Sequence, residues 1–537
     1  MGRQAFAFFS VILFVGIASS VMADDTPVGD GPWKLPKTWE KGATPEEQQY
    51  AYYDFIWRSF VALNWPNVDL KPDPSTPWKV GTGMRGKPDT SATLKDLPNR
   101  LAVWETYKEP GEVFPDPKVW DEPQFSQWNT VRPSPPGSQQ HAGIPARRIL
   151  DFETITEYTS GTTQPYFFPF RTGPLYDQHG GLVRYEVAIN HSFFEYVRYF
   201  EYYNAQKQAD AVWTYIREKE KRGTKDAFQR PPFGNPRELS GYLKGLPEYD
   251  QVGLVDVKAA WRVLDPSRDK DILHRYLVRE LHHADGSEPQ LMGLVALHVL
   301  RWTPNGYDQN KGIDGGFVAS TFEQIDNVTS NVERKSSGEL QAVPATFNDG
   351  MPPTAEELEY GFAGEIPKIN CVDCKEELVP PKTPVNIYRA TAQAIPPAVQ
   401  KINQQYQSKP ELQGSPLQYY QLIGTQNRHP GPMSFDTPAE RETNGPQGPT
   451  TGVYSNANNL VNSALESYTQ KNFTCLRCHI QARPKTNRLT TMCNICGGVC
   501  TEEHEKKGID SFAMRAFEDD HFKILTFLLQ IAKFPDE

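Results

Sequence analysis

The chain has 537 residues, a formal charge of −10, 12% aromatic residues and 46 prolines. This length suffices for two or more domains, and the composition is that of a core-forming globule with many ordered loops, not of a disordered chain. The acidic balance and the lack of a dense Lys/Arg tract exclude a nucleic-acid partner held through phosphates.

The N-terminus opens with Arg3, an apolar run from Ala5 to Val21 and the small-residue junction Val21-Met22-Ala23 before Asp24-Asp25. That pattern predicts a signal peptide over 1–23, cleaved before Asp24, and hence a periplasmic protein. No later segment has the apolar length of a spanning helix, so no membrane span is expected after cleavage.

Thr44, Pro45 and Glu47 form a capping-box pattern that predicts a helix ending at Asn64-Trp65-Pro66, with Tyr53, Ile56, Trp57, Phe60 and Leu63 as its buried stripe. The Pro-rich passage from Glu109 to Pro145 reads as surface loop. Between Tyr166 and Asn190 a hairpin is expected around Gln178-His179-Gly180-Gly181. A long helix is then predicted from Phe193 to Lys221, closed by Arg217, Lys219, Lys221, Arg222 and Gly223.

Val255–Val263 alternates, with Val255, Val257, Ala259, Trp261 and Val263 on one face and Asp256, Lys258 and Arg262 on the other; it predicts a half-buried strand. Leu291–Leu300 is apolar on both faces and belongs in a sheet centre, with the segment from Phe317 as its neighbour. Strands and helices mix without regular β-α-β alternation, which predicts an α+β fold. Pro, Gly and Asn are frequent over 344–390 and 427–450, and the stretch from Asn427 to Thr450 reads as the linker. Leu460, Val461, Ala464, Leu465 and Tyr468 make a helical stripe, and a last helix is expected from Asp520 to Lys533. The domains expected are therefore a large α+β body over 24–450, with a subdivision near 345, and a small, mostly α-helical cytochrome c-like haem segment over 451–537.

All seven cysteines lie after residue 370. In FTCLRCHI, Cys475, Cys478 and His479 have the C-x-x-C-H spacing of covalent haem c attachment. Two thiols along one haem edge form thioethers, and the adjacent imidazole coordinates the iron from the proximal side. The distal ligand is open among Met433, Met514 and His298, with Met492 a further methionine in the tail, or the position is vacant. His429, His504 and His521 read as exposed. Each methionine is otherwise apolar filler, and His298 is otherwise a core histidine with a polar partner.

The stretch GVYSNANNLVNSALESYTQKNFTCLRCH resembles the C-terminal part of a group of large exported bacterial proteins, the cytochrome c family proteins. FIWRSFVALNWP, VWETYK, VDVKAAWRVL, GLVALHVL and STFEQIDNV resemble their upstream body. The resemblance implies a single haem c and a periplasmic location, and supplies no substrate. CVDCK, with Cys371 and Cys374, is similar to the lysine-variant attachment site of the multihaem nitrite reductases. A second haem there, or a zinc or iron-sulfur site shared with Cys493, Cys496 and Cys500, stands as a lesser alternative to disulfides among these five thiols.

The function expected is one-electron transfer with a periplasmic redox partner. The alternative is a haem-dependent oxidoreductase, peroxidase- or oxygenase-like, with a small-molecule substrate in a pocket of the N-terminal domain. Catalytic residues are not assigned; Glu105, Glu186, Glu323 and Asp326 are acid–base candidates if they line such a pocket.

Overall fold

The computed structural model describes residues 30–39, 44–131, 174–281, 289–305, 308, 310, 315–328, 331–334, 340–343, 345–367, 383–428, 460–472, 479, 482, 484–485 and 528–535. The fold is α+β, built on an antiparallel six-stranded sheet. Its strands are β1 (Arg184–Ile189), β2 (Val255–Leu264), β3 (Val278–Leu281), β4 (Gln290–Thr303), β5 (Gly316–Gln324) and β6 (Tyr420–Arg428). The order across the sheet is β6-β5-β4-β2-β1, and β3 shares one edge of β4 with β5. Between β3 and β5 the edge is closed by a side chain. The Tyr420 hydroxyl donates to the Leu294 carbonyl (2.7 Å) and accepts from the Leu277 amide (3.2 Å).

β4 is the central strand that its apolar run predicts, and β5 is its neighbour from Phe317, paired Ala296↔Glu323 through Thr303↔Gly316. β2 matches the expected segment but is buried on both faces. Asp256 and Arg262, expected outside, are 7% and 3% exposed. The pattern of one strand records which residues share a face; whether that face meets water depends on what later chain covers it.

Helix α1 (Pro45–Leu63) has the expected capping box, Thr44 accepting from the Glu47 amide and Glu47 accepting from the Thr44 amide. Its stripe lies on one face of the sheet. Phe60 stacks on Phe322 of β5 at 4.0 Å between ring centroids, and Trp57 stacks on Tyr406 at 4.9 Å. Tyr406 belongs to a helix (Pro397–Gln407) whose Asn403 accepts from the Trp57 indole (3.1 Å) and ties the helix to β6 through the Leu422 amide and carbonyl.

The helix expected over Phe193–Lys221 is two helices, α2 (His191–Tyr199) and α3 (Ala205–Arg217), followed by a 3-10 turn (Lys219–Lys221). The chain breaks at Glu201, whose φ of 56° is left-handed, and restarts where the Asn204 side chain caps α3 by accepting from the Gln206 amide (2.9 Å). Burial of Tyr202 against Phe228, stacked at 5.2 Å, offsets the cost of the reversal.

The stretch after Glu109 is not all surface. Glu112, Val113, Phe114, Trp128 and Thr130 are buried, and Arg85 donates to both Glu112 carboxylate oxygens (3.2 and 2.7 Å). The hairpin is present around Asp177–Gly181, with its first arm reduced to the bridge Tyr176↔Leu182. Residues 132–145 and 166–173 lie outside the described residues, as do the signal segment 1–23, the linker beyond Arg428 and Asp520–Phe527. Of the last helix, Leu528–Ile531 form a 3-10 turn, and the Lys533 carbonyl accepts from the Ala205 amide (2.9 Å). No helix among the described residues is long and apolar enough to cross a membrane.

Candidate haem segment and the sheet face it covers

Residues 460–472, which lead into the C-x-x-C-H motif, lie across the sheet face opposite α1. The apolar residues Leu460, Val461, Ala464, Leu465 and Tyr468 are buried as expected, but they sit on successive turns and not on a helix. The reason is competition for the backbone by side chains. Glu466 accepts from the Asn462 amide (2.6 Å), and Glu323 of β5 accepts from the Ser463 amide (2.6 Å). Asn462 donates to the Thr321 hydroxyl (2.7 Å) and to the Phe322 carbonyl (3.0 Å). Tyr185 of β1 donates to the Ala464 carbonyl (3.1 Å), so the segment spans from β5 to β1. Leu460 packs closely over Gly424 of β6, where an added Cβ would stand 2.8 Å from Leu460 Cδ1.

Below the segment the sheet presents ordered rows. Lys258, His298 and Thr321 stand side by side on β2, β4 and β5; Asp256, Leu300 and Ala319 form the next row, and Trp302 and Phe317 pair beyond it. His298 is 6% exposed, with its Nε2 3.5 Å from Glu466 Oε2. Burial pushes the Asp256 carboxyl up to about 7, with the Lys258 ammonium the opposing influence. The Trp302 and Phe317 rings meet edge-on at 4.8 Å, and the partly buried His479 imidazole lies over Phe317 at 6.2 Å between centroids.

His479 and His298 are therefore on one face of the sheet. Phe317 is four strand positions, about 13 Å, from the Thr321–His298 pair. His298 stands within ion-pair range of Glu466 and is buried in the core. The other candidate ligands and thiols, namely Cys371, Cys374, Met433, Cys475, Cys478, Met492, Cys493, Cys496, Cys500 and Met514, lie outside the described residues, as do His429, His504 and His521. In donor chemistry the motif fits a haem c, and the ring of His479 lies on an aromatic wall, the apolar setting in which an axial imidazole is shielded from water.

The four acid–base candidates all have structural partners. Glu105 receives Arg279 through both oxygens and also the Ala102 amide, and Glu186 accepts from the Trp261 indole (3.1 Å). Glu323 pairs with Arg389 while holding Ser463, and Asp326 pairs with Arg275 at 2.6 Å. The residues that sequence reasoning passed over are Asp256, Asn462 and Glu466. Asp256 sits in an alternating strand as an outward residue, yet in the fold it is a buried acid, 7% exposed. Comparison with known protein families, curated proteins and solved structures returns no match.

Proposed function

We propose that this chain is an exported, periplasmic c-type cytochrome with one covalently attached haem, acting in electron transfer. The observation that carries the reading is the C-x-x-C-H motif: Cys475 and Cys478 are the attachment thiols and His479 the proximal ligand. A bound haem c supplies one-electron chemistry at its iron. The chain's part is to fix the motif and exclude water from it. Glu323, Thr321 and Tyr185 hold residues 462–464 to the sheet, eleven positions or more ahead of Cys475, and Phe317 with Trp302 provides an apolar backing for His479. A body this large around one redox centre supports recognition of a specific partner.

The test is haem staining on a denaturing gel after expression in cells competent for cytochrome maturation. Replacing Cys475 and Cys478 together with Ala is expected to remove the stain. A stain that persists in the double variant would move the attachment to CVDCK, and a colourless wild-type protein would end the proposal.

A second reading, a haem oxidoreductase with an open distal position, is favoured by Asp256. Its buried carboxyl titrates near neutrality on the face that carries His479, as a proton-handling group does. Carbon monoxide separates the two: a ferrous spectrum unmoved by the gas supports the carrier, and ready binding supports the enzyme.

A further inference from the structure

Arg301, on β4, projects to the sheet face under α1 and is 2% exposed. Its guanidinium carries five N–H donors. Nη1 donates to the Ser59 hydroxyl (2.7 Å), and the ring of Phe55 faces the guanidinium carbon at 4.7 Å. Nε has no hydrogen-bond partner among the described residues. Ser59 spends its own proton on the Phe55 carbonyl (2.8 Å), so it meets Arg301 as a neutral acceptor.

Among the described residues the other neighbours supply no negative charge. Val255 and Val318 flank Arg301 on β2 and β5. Arg58, the neighbour of Ser59 on α1, adds positive potential, and its own carboxylate partner is Asp54 at 3.4 Å. Tyr107 lies on the third side. Burial holds its phenol well above the usual range and therefore protonated, so it cannot act as the counter-charge. Two buried carboxylates of this body are committed elsewhere: Asp250 to His191 at 2.8 Å and Glu105 to Arg279 at 2.6 Å.

Burial pushes Arg301 down to about 9, which leaves it charged at neutral pH. A buried guanidinium is retained in a fold when an anion and enough acceptors compensate it. We infer that Arg301, through its unpartnered Nε, is the binding site of a small monovalent anion of halide size, such as chloride. One charge calls for one charge. Enclosure between α1 and the sheet restricts the occupant to an ion of few atoms. Its effect is to secure α1, by way of Ser59, to the central strand. This site is independent of the haem reading.

The experiment is thermal unfolding of the full chain at constant ionic strength while chloride replaces gluconate. The wild-type midpoint is expected to rise with chloride and to level off, as a single stabilising site requires, and Arg301→Met should lose that response. Crystals soaked in bromide should show an anomalous peak within hydrogen-bond reach of the Arg301 guanidinium. A wild-type midpoint indifferent to chloride, or a response undiminished in Arg301→Met, overturns the inference. Should that variant fail to fold, the bromide map decides, and no peak at Arg301 overturns it as well.

Discussion

His298 Nε2 lies 3.5 Å from Glu466 Oε2, which joins the central strand of the sheet to the last turns before the C-x-x-C-H motif. The same carboxylate accepts from the Asn462 amide at 2.6 Å, so one buried side chain both shapes the 460–472 segment and seats it. Glu466→Ala leaves that amide without its acceptor and removes the carboxylate beside the imidazole. A loss of roughly 1–3 kcal/mol is expected, the usual cost of orphaning buried polar groups. Urea unfolding reads the loss directly. Proteolysis between 460 and 472 should also rise more than elsewhere in the chain, and a uniform rise would argue against a local clamp.

Asp256 makes stability depend on pH. Its carboxyl is near 7 in the folded chain, against about 3.9 when unfolded, so between these values the folded state binds the extra proton. Stability is therefore full below about 4, falls as pH rises toward 7 and is flat above. The total change is at most roughly 4 kcal/mol. Asp256→Asn should remove that slope and leave the variant more stable than wild type at pH 8. Urea midpoints at pH 5 and pH 8 check it; an unchanged slope in the variant would show that another group is responsible.

Arg279 and Glu105 are the most deeply buried ion pair described here, at 1% and 0% side-chain exposure, with hydrogen bonds of 2.8 and 2.6 Å across 174 positions of sequence. Glu105→Ala strands a charge and should cost roughly 3–5 kcal/mol. Replacing both partners by apolar residues of similar volume should recover most of that loss. Equilibrium unfolding of the single and double variants distinguishes the two costs, and a double variant as weak as the single one would contradict the account.

Glu201 is the one described non-glycine residue with positive φ, at 56°, and its side chain is half exposed, with only a surface contact to Lys207. Glu201→Gly should relieve the left-handed strain and stabilise by about 0.5–1 kcal/mol, since the exposed ion pair contributes little. A higher thermal midpoint is the expected readout.

Local chemistry was legible in the residues themselves. Thr44, Pro45 and Glu47 start α1 because a capping box satisfies backbone groups within four positions. The unbroken apolar run of β4 places it at the sheet centre because both of its faces must be buried. The spacing of Cys475, Cys478 and His479 is also a local pattern, and the haem proposal rests on that pattern alone. Three further matters were settled only in three dimensions. The continuous helix expected from Phe193 is broken at Glu201, because burial of Tyr202 outweighs helix propensity. The stripe from Leu460 to Tyr468 has helical spacing yet folds as turns, because Glu323 and Thr321 on a distant strand take up the backbone and side chain that a helix would need. Asp256 and Arg301 became buried titratable groups for the same reason: a strand's alternation assigns residues to faces, but the solvent exposure of each face is fixed by segments elsewhere in the sequence, as α1 does for Arg301.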